Sequence, residues 1–209
     1  MNAVTRWSAA IFGLLTVLFM PLAASAQPVE QSVDEHRNDV GEIAKIDGRF
    51  VHRSSQFVFP AILGDMPART TTSYGPGDAS IAYTLKGGSN GDALITLFVY
   101  PATIAIEAEE EGVRKALVQR WSATPVAIPA GLAPATAGMK DGWFKGTVQR
   151  SHVTTGYRIA QRGDWYLKAR FTIPQTAGQA GIDRTVAAIG AIPWQWVAPK
   201  TLAKVAAAR

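Results

Sequence analysis

Basic and aromatic side chains alternate with apolar ones across residues 142–173, in three consecutive runs with the two-residue period of β-strands. Successive side chains of a strand point to opposite faces of the sheet. We therefore predict one buried face, which carries Phe144, Tyr157, Leu167 and Phe171. The opposite face carries the candidate ligand-binding residues Trp143, Lys145, Arg158, Tyr166, Lys168 and Arg170, together with Gln149, His152 and Thr154. Such rings and cations can stack on a ring or hold an anionic group.

The same pattern also fits an ordinary solvated sheet face. Antiparallel sheets commonly expose one polar face to water. Long basic side chains on such a face cover aromatic rings with their aliphatic stems. The sequence leaves both interpretations open.

Three aspartates suggest hydrolysis as an alternative to ligand binding. Asp65, Asp78 and Asp92 fall in predicted loops, where they could meet as the acid and base of a hydrolase, although loop aspartates also serve turns. No serine lies in a G-x-S-x-G elbow, and the chain has no cysteine nucleophile. The three histidines lie in separate elements without zinc-type spacing. The sequence therefore predicts no metal and no cofactor, and it points to a binding protein before an enzyme.

Charge is distributed unevenly along the chain. Residues 27–139 contain 9 Lys or Arg against 13 Asp or Glu, a net charge of −4. Residues 140–209 contain 11 against 3, a net charge of +8. One interpretation is a basic surface that attracts anionic partners. The other is that the acidic part folds against the basic part and neutralises it.

Residues 1–26 have the pattern of a secretory signal peptide. Arg6 precedes an apolar run over residues 11–20, and the segment ends in Ala24-Ser25-Ala26, a small-residue cleavage site. The apolar run is about half the roughly 20 residues that a membrane-spanning helix needs. We predict an exported protein, periplasmic or secreted, with no transmembrane helix after cleavage. The absence of cysteine is typical of a bacterial periplasmic protein that is stabilised by its core.

The remaining chain predicts one α+β domain with an antiparallel sheet of about five or six strands packed against two main helices. Residues 80–101 form two alternating runs joined by a glycine-rich turn at residues 87–92, the pattern of a hairpin. Ile106, Val113, Leu117 and Trp121 lie on one stripe of a first helix. Residues 142–173 predict an antiparallel meander, and Thr176 is the predicted cap of a second helix.

The predicted boundaries follow from changes in composition. Residues 27–53 are polar and acidic, and they predict a short helix or a mobile arm followed by an extended piece at residues 49–52. Residues 54–198 form the single α+β domain. Residues 199–209 are small and basic and predict a frayed tail.

The order of elements resembles the sandwich of the PsbP-like extrinsic photosystem proteins. The resemblance covers roughly residues 57–192 and includes the opening segment Phe57-Val58-Phe59-Pro60. The chain also resembles uncharacterised exported proteins of Gram-negative bacteria. The PsbP-like resemblance implies a domain that binds or steadies other components, and it carries over no functional residue.

The sequence thus favours an exported, non-enzymatic binding or accessory protein whose basic aromatic face holds an anionic ligand or a protein partner. Anionic lipid, a glycan or an envelope protein are the expected partners, and export disfavours nucleic acid. A periplasmic hydrolase that uses loop carboxylates and a purely structural envelope protein are the alternatives. The oligomeric state is not predicted.

Overall fold

The computed structural model describes residues 29–32, 39–84, 93–148 and 150–197. The predicted signal peptide at residues 1–26, the hairpin turn at residues 87–92 with its Asp92, Gln149, and the predicted tail at residues 199–209 lie outside these ranges. The described elements are β1 (Val29–Ser32), β2 (Asp39–Val40), β3 (Ile43–Ile46), β4 (Arg49–His52), β5 (Val58–Phe59), β6 (Ile62–Leu63), β7 (Met66–Gly75), β8 (Asp78–Tyr83), β9 (Leu94–Pro101), α1 (Ile106–Trp121), β10 (Thr124–Pro125), β11 (Met139–Val148), β12 (Ser151–Arg162), β13 (Trp165–Pro174), a 3-10 turn (Gln175–Ala177) and α2 (Gly178–Gly190).

The described strands form two antiparallel sheets. The main sheet has the order β1-β7-β8-β9-β13-β12-β11-β10, and β6 pairs with β7 beside this path. The smaller sheet has the order β2-β3-β4-β5. The predicted α+β class with an antiparallel sheet and two main helices is confirmed. The predicted count of five or six strands is wrong, because the main path contains eight within the described residues. The edge strands β1 and β10 have only four and two residues, too few to show a period.

The predicted hairpin of residues 80–101 is confirmed as the pair β8–β9. Ile81 lies opposite Leu97, and Tyr83 lies opposite Ile95. All four side chains are fully buried, as their alternation predicts. This hairpin continues into the meander because β9 also pairs with β13.

Both predicted helices are present. Helix α1 ends at Ser122, which takes the left-handed conformation, and it packs on β11 and β12. Helix α2 packs on β13. The predicted Thr176 cap is wrong, because Thr176 lies in the 3-10 turn and the helix starts after Ala177 without a side-chain cap.

The main sheet is covered on both faces, so the protein has two cores. The small core lies between the sheet and α1 and contains Phe144, Tyr157, Ile159 and Tyr166 from the sheet. The large core contains Trp165, Leu167, Ala169 and Phe171 of β13 together with residues of α2 and the small sheet. We call the two sides of the meander the α1 face and the α2 face.

The short helix that the sequence predicts in residues 27–53 is wrong for the described part of that segment. Residues 43–46 and 49–52 are the strands β3 and β4, and the extended piece at residues 49–52 is confirmed. Asp47 and Gly48 have φ angles of 49° and 75°, so they form a two-residue turn that pairs Ile46 with Arg49. Two positive φ angles match the twist of paired strands, and an Asp-Gly pair is a strong hairpin signal. No helix in the described residues is both long and apolar enough to cross a membrane.

Candidate functional site

The register of the meander decides which predicted site residues share a face. A two-residue turn, Gly163-Asp164, joins β12 to β13 and pairs Arg162 with Trp165. Odd-numbered residues of β12 therefore lie opposite even-numbered residues of β13, and Tyr157 lies opposite Arg170. The prediction of one shared ligand-binding face is wrong. Trp143, Lys145 and Arg158 lie on the α2 face, whereas Tyr166, Lys168 and Arg170 lie on the α1 face.

Arg158 on the α2 face is a structural residue. Its guanidinium donates to both carboxylate oxygens of Asp141 at 2.6 and 2.7 Å and to the carbonyl of Ala133 at 2.6 Å. It also lies 5.8 Å from the ring centroid of Trp194. Both charged side chains of the pair are about 96% buried, with 4% and 3% exposed. A buried, fully hydrogen-bonded pair of this kind has no cation left for a ligand.

Trp143 is also part of the interior. It is 2% exposed and belongs to the large core. Its ring centroid lies 4.3 Å from that of Phe171. An indole packed in this way cannot stack on a ligand.

Lys168 on the α1 face is likewise neutralised. Its ammonium nitrogen lies 3.0 Å from Oε1 of Glu109 on α1 and 4.4 Å from the ring centroid of Tyr100. The Tyr100 hydroxyl donates to the same carboxylate oxygen. Burial lowers the pKa of Lys168, and the Glu109 carboxylate opposes that shift. Burial raises the pKa of the nearby Asp78, and Lys168 opposes that shift.

Tyr166 is the third residue of this interior group. It is 1% exposed, and its hydroxyl donates to the carbonyl of Ile104 at 2.6 Å. Its ring lies 5.4 Å from that of Tyr100. The polar groups of Tyr166 and Lys168 are therefore both occupied by described partners, which does not support their predicted binding roles.

The acidic and basic parts of the chain partly neutralise each other. Three ion pairs join a carboxylate from residues 27–139 to a cation from residues 140–209: Glu107 with Lys140 at 3.3 Å, Glu109 with Lys168 at 3.0 Å, and Asp65 with Arg184 at 2.9 Å. The interpretation that the acidic part neutralises the basic part therefore holds for these three pairs, and a basic surface that attracts anionic partners stays a prediction. Among the predicted site cations, Lys145 and Arg170 form no ion pair with any described residue.

Lys145 lines a cleft of about 500 Å³ at the end of the meander. Its lining residues come from β11, β12 and β13, from Ser122 after α1, and from the 3-10 turn with the start of α2. The apolar lining comes from Val153, Ile173, Pro174 and Ile182, and the polar lining comes from Ser122, Lys145, Thr147, His152, Thr154 and Gln175. Ligand pockets in proteins typically have volumes of about 300–1,000 Å³.

The chemistry of the cleft suits an anion. Lys145 supplies an ammonium, His152 an imidazole, and the neighbouring threonines supply hydroxyl groups. The His152 Nδ1 lies 3.4 Å from the Thr147 hydroxyl, which orients the ring. None of the lining residues carries a carboxylate. The lining therefore provides donors and positive charge without a compensating negative charge.

The predicted loop carboxylates are not brought together in the described residues. Asp65 pairs with Arg184 of α2. Asp78 lies on the other side of the sheet, close to Lys168 and Glu109. Neither lines the cleft. The described residues also contain no group of three or more His, Cys, Asp or Glu side chains that could hold a metal ion.

Several lining residues escaped sequence reasoning. Ser122 and Gln175 come from the ends of a helix and a turn that no period connects to the meander. Their signal was weak but present, because Ser122 directly follows the last residue of the predicted helix stripe and Gln175 follows the proline that ends β13.

Comparisons of the chain with protein-family models, with curated proteins and with solved structures found no match.

Proposed function

We propose that this chain is an exported binding or accessory protein that holds a small anionic ligand in the cleft beside Lys145. One observation carries the proposal: the cleft lining has an imidazole, hydroxyl groups and an ammonium that forms no ion pair with a described residue, and none of the described lining residues is a carboxylate. Oxyanions form short, strong hydrogen bonds with such donors. The ligand class is a carboxylated or phosphorylated compound, such as an acidic sugar or a lipid headgroup.

The side chains of the cleft favour binding over hydrolysis. Acid–base hydrolysis by paired carboxylates needs two such groups at the reacting atom. The cleft lining offers none. Asp65 pairs with Arg184, and Asp78 is the first residue of β8, near Lys168 on the α1 face. The apolar part of the lining, with Val153, Ile173 and Ile182, can hold the uncharged portion of a ligand.

Export is the second part of the proposal. It is supported by the charged start, apolar run and small-residue end of residues 1–26 and by the absence of cysteine. A PsbP-like sandwich relationship is the third part, supported by the order of hairpin, helix, meander and helix. A periplasmic protein of this kind would meet acidic sugars, lipid headgroups and envelope proteins, so all three are retained as ligand or partner classes.

Thermal unfolding against a panel of acidic sugars, sugar phosphates and neutral sugars tests the cleft. A ligand that binds only the native state raises the unfolding midpoint. We expect the midpoint to rise with a subset of the anionic compounds and with none of the neutral ones, and we expect added salt to reduce the shift. Lys145→Glu should abolish the shift, because the carboxylate repels the anion.

Lys115→Glu is the matched control, since Lys115 is an exposed lysine of α1 outside the cleft lining. It should leave the shift unchanged. Equal shifts in the Lys145 and Lys115 variants would show that binding depends on overall charge and would contradict a site in the cleft.

Mass measurement of the exported protein tests export, the second part of the proposal: cleavage after Ala26 is expected, and an intact N-terminus would contradict it.

A further inference from the structure

The α1 face holds a second unpaired cation, Arg170. It lies on the same face of β13 as Lys168, two residues away, and yet no carboxylate contacts it in the described part of the chain. Its guanidinium carbon lies 5.6 Å from the ring centroid of Trp121, at the end of α1. Its neighbours across the sheet are Thr96 of β9 and Tyr157 of β12.

Arg120 brings a second guanidinium to the same ring. Its guanidinium carbon lies 6.0 Å from the centroid of Trp121, and it also forms no ion pair with a described residue. Arg120 is exposed, whereas Arg170 is partly buried. Two guanidinium groups therefore lie within about 6 Å of one indole ring, and neither has a counter-ion among the described residues.

This arrangement is costly in the free protein. Burial lowers the pKa of Arg170, and the like charge of Arg120 lowers it further. Arginine nevertheless stays protonated in proteins, so the desolvated charge remains. The carboxylates of α1 have other partners: Glu107 with Lys140, Glu109 with Lys168, Glu111 with Arg114, and Glu110 with the Tyr157 hydroxyl at 3.1 Å.

We propose that Arg120 and Arg170, positioned on Trp121, form a binding site for a phosphate or sulfate group. The planar guanidinium fork suits a tetrahedral oxyanion, which it can bind through two parallel hydrogen bonds. An anion there supplies the counter-charge that the described residues do not. The site is separate from the cleft, whose lining includes none of these three residues.

The oxyanion has two sources, a free ion or small phosphate ester, and a lipid headgroup. The Tyr74 and Phe98 rings stack at 6.2 Å on the same side of the sheet and are partly exposed. They provide an aromatic neighbour that either source could contact. The shared chemistry is the phosphate group, and the experiment separates the sources.

Phosphate binding is measured by titration calorimetry in chloride buffer at constant ionic strength, with the purified full chain. We expect saturable binding of inorganic phosphate, and we expect Arg170→Met and Arg120→Gln each to weaken it by about tenfold or more, the loss of a charge-assisted hydrogen bond. Arg120→Gln changes an exposed residue, so it keeps the test decisive if Arg170→Met fails to fold. Arg49→Gln, an exposed arginine of the small sheet, is the matched control and should bind phosphate like the original protein.

Cosedimentation with phosphatidylglycerol vesicles, compared with phosphatidylcholine vesicles, identifies the source. Binding to anionic vesicles that Arg120→Gln removes, with no binding of free phosphate, assigns the site to a headgroup. Binding of free phosphate alone assigns it to a small anion. The proposal is overturned if neither probe binds, or if Arg120→Gln and Arg49→Gln bind both probes as tightly as the original protein does. Arg120→Gln and Arg170→Met should leave the thermal shift that the anionic sugars produce in the cleft unchanged, because neither arginine lines the cleft. This readout separates a failure of the present site from a failure of the cleft.

Discussion

Each face of the meander carries an arginine, and the two arginines differ in whether a carboxylate pairs with them. On the α2 face, Arg158 is enclosed by the Asp141 carboxylate, the Ala133 carbonyl and the Trp194 ring. On the α1 face, Arg170 rests on Trp121 and has a second cation, Arg120, as its neighbour. The difference teaches that a basic residue in a strand is a candidate binding group only when its counter-charge is missing.

The comparison extends to the lysines. Lys168 pairs with the Glu109 carboxylate at 3.0 Å. Lys145 lines a cleft whose described lining residues include no carboxylate. Of the four predicted site cations, each face thus has one that is paired and one that forms no ion pair with a described residue. Removing one partner of a buried pair leaves the other charge uncompensated, whereas Lys145 and Arg170 remain available to an anion.

The largest effect is expected from breaking the buried pair on the α2 face. Arg158→Met leaves the Asp141 carboxylate uncompensated in the interior, which should lower the free energy of unfolding by about 3–5 kcal/mol. Urea denaturation measures it. The double variant Arg158→Met, Asp141→Leu should recover most of the loss, because both charges are gone. A double variant as unstable as the single one would show that Arg158 stabilises by packing instead.

A pH profile compares the two sides of the sheet without altering the fold. Burial of His52, beside Trp165 on the α2 side, lowers its pKa from 6.5 to about 4. A depressed pKa means that the neutral imidazole is favoured in the folded state. The stability that neutral His52 contributes is present above pH 6.5 and is lost as the pH falls towards 4, at a cost of about 3 kcal/mol.

Asp78 on the α1 side acts in the opposite sense. Its pKa is raised by burial, so its contribution grows as the pH falls and is lost as the pH rises through the folded-state pKa. Chemical denaturation between pH 7 and 4 should therefore show a smaller loss of stability in His52→Gln and a larger loss in Asp78→Asn. Parallel profiles for the original protein and His52→Gln would contradict the assignment to His52.

An intermediate effect is expected for the paired lysine of the α1 face. Lys168→Met removes the ammonium that Glu109 and the Tyr100 ring contact, and it should destabilise the protein by about 1–2 kcal/mol. The loss is smaller than for Arg158 because the Lys168 and Glu109 side chains keep 14% and 17% of their surface exposed. Thermal unfolding of Lys168→Met beside Lys115→Met, an exposed lysine, checks this. Equal midpoints would contradict it.

The smallest effect, of opposite sign, is expected for the unpaired arginine. Arg170→Met removes a partly buried charge that repels Arg120 and keeps the packing of a long side chain on Trp121. In phosphate-free buffer it should leave the unfolding midpoint unchanged or raise it, by about 0.5 kcal/mol. Calorimetry at low ionic strength measures the difference. A loss as large as that of Arg158→Met would mean that Arg170 has a structural partner.

Local patterns were sufficient for much of the fold. The two-residue period identified β8, β9 and the meander, and the helical stripe from Ile106 to Trp121 coincides with the bounds of α1. The short strands β1 and β10 were missed, since four or two residues carry no usable period. The pair Asp47-Gly48 is a hairpin signal in the sequence, and it joins β3 to β4 in the segment for which a short helix or a mobile arm is predicted.

The candidate site was predicted only in part. Four of the predicted residues are interior residues: Trp143, Arg158, Tyr166 and Lys168. Lys145 and Arg170 form no ion pair with a described residue, so their charges can still bind an anion. One signal in the sequence bears on which residues share a face. The two-residue turn Gly163-Asp164 fixes the parity of the pairing between β12 and β13, and it places Tyr157 on the same face as Arg170.

The sequence by itself determined the periods of the long strands, the turns and the two helices, because these depend on residues within a few positions of each other. Only the tertiary structure decided which cations are neutralised. Glu109 reaches Lys168 across 59 residues of chain, and the cleft combines side chains from all three strands of the meander with the start of α2. Electrostatic pairing depends on distance in space, which no local pattern encodes.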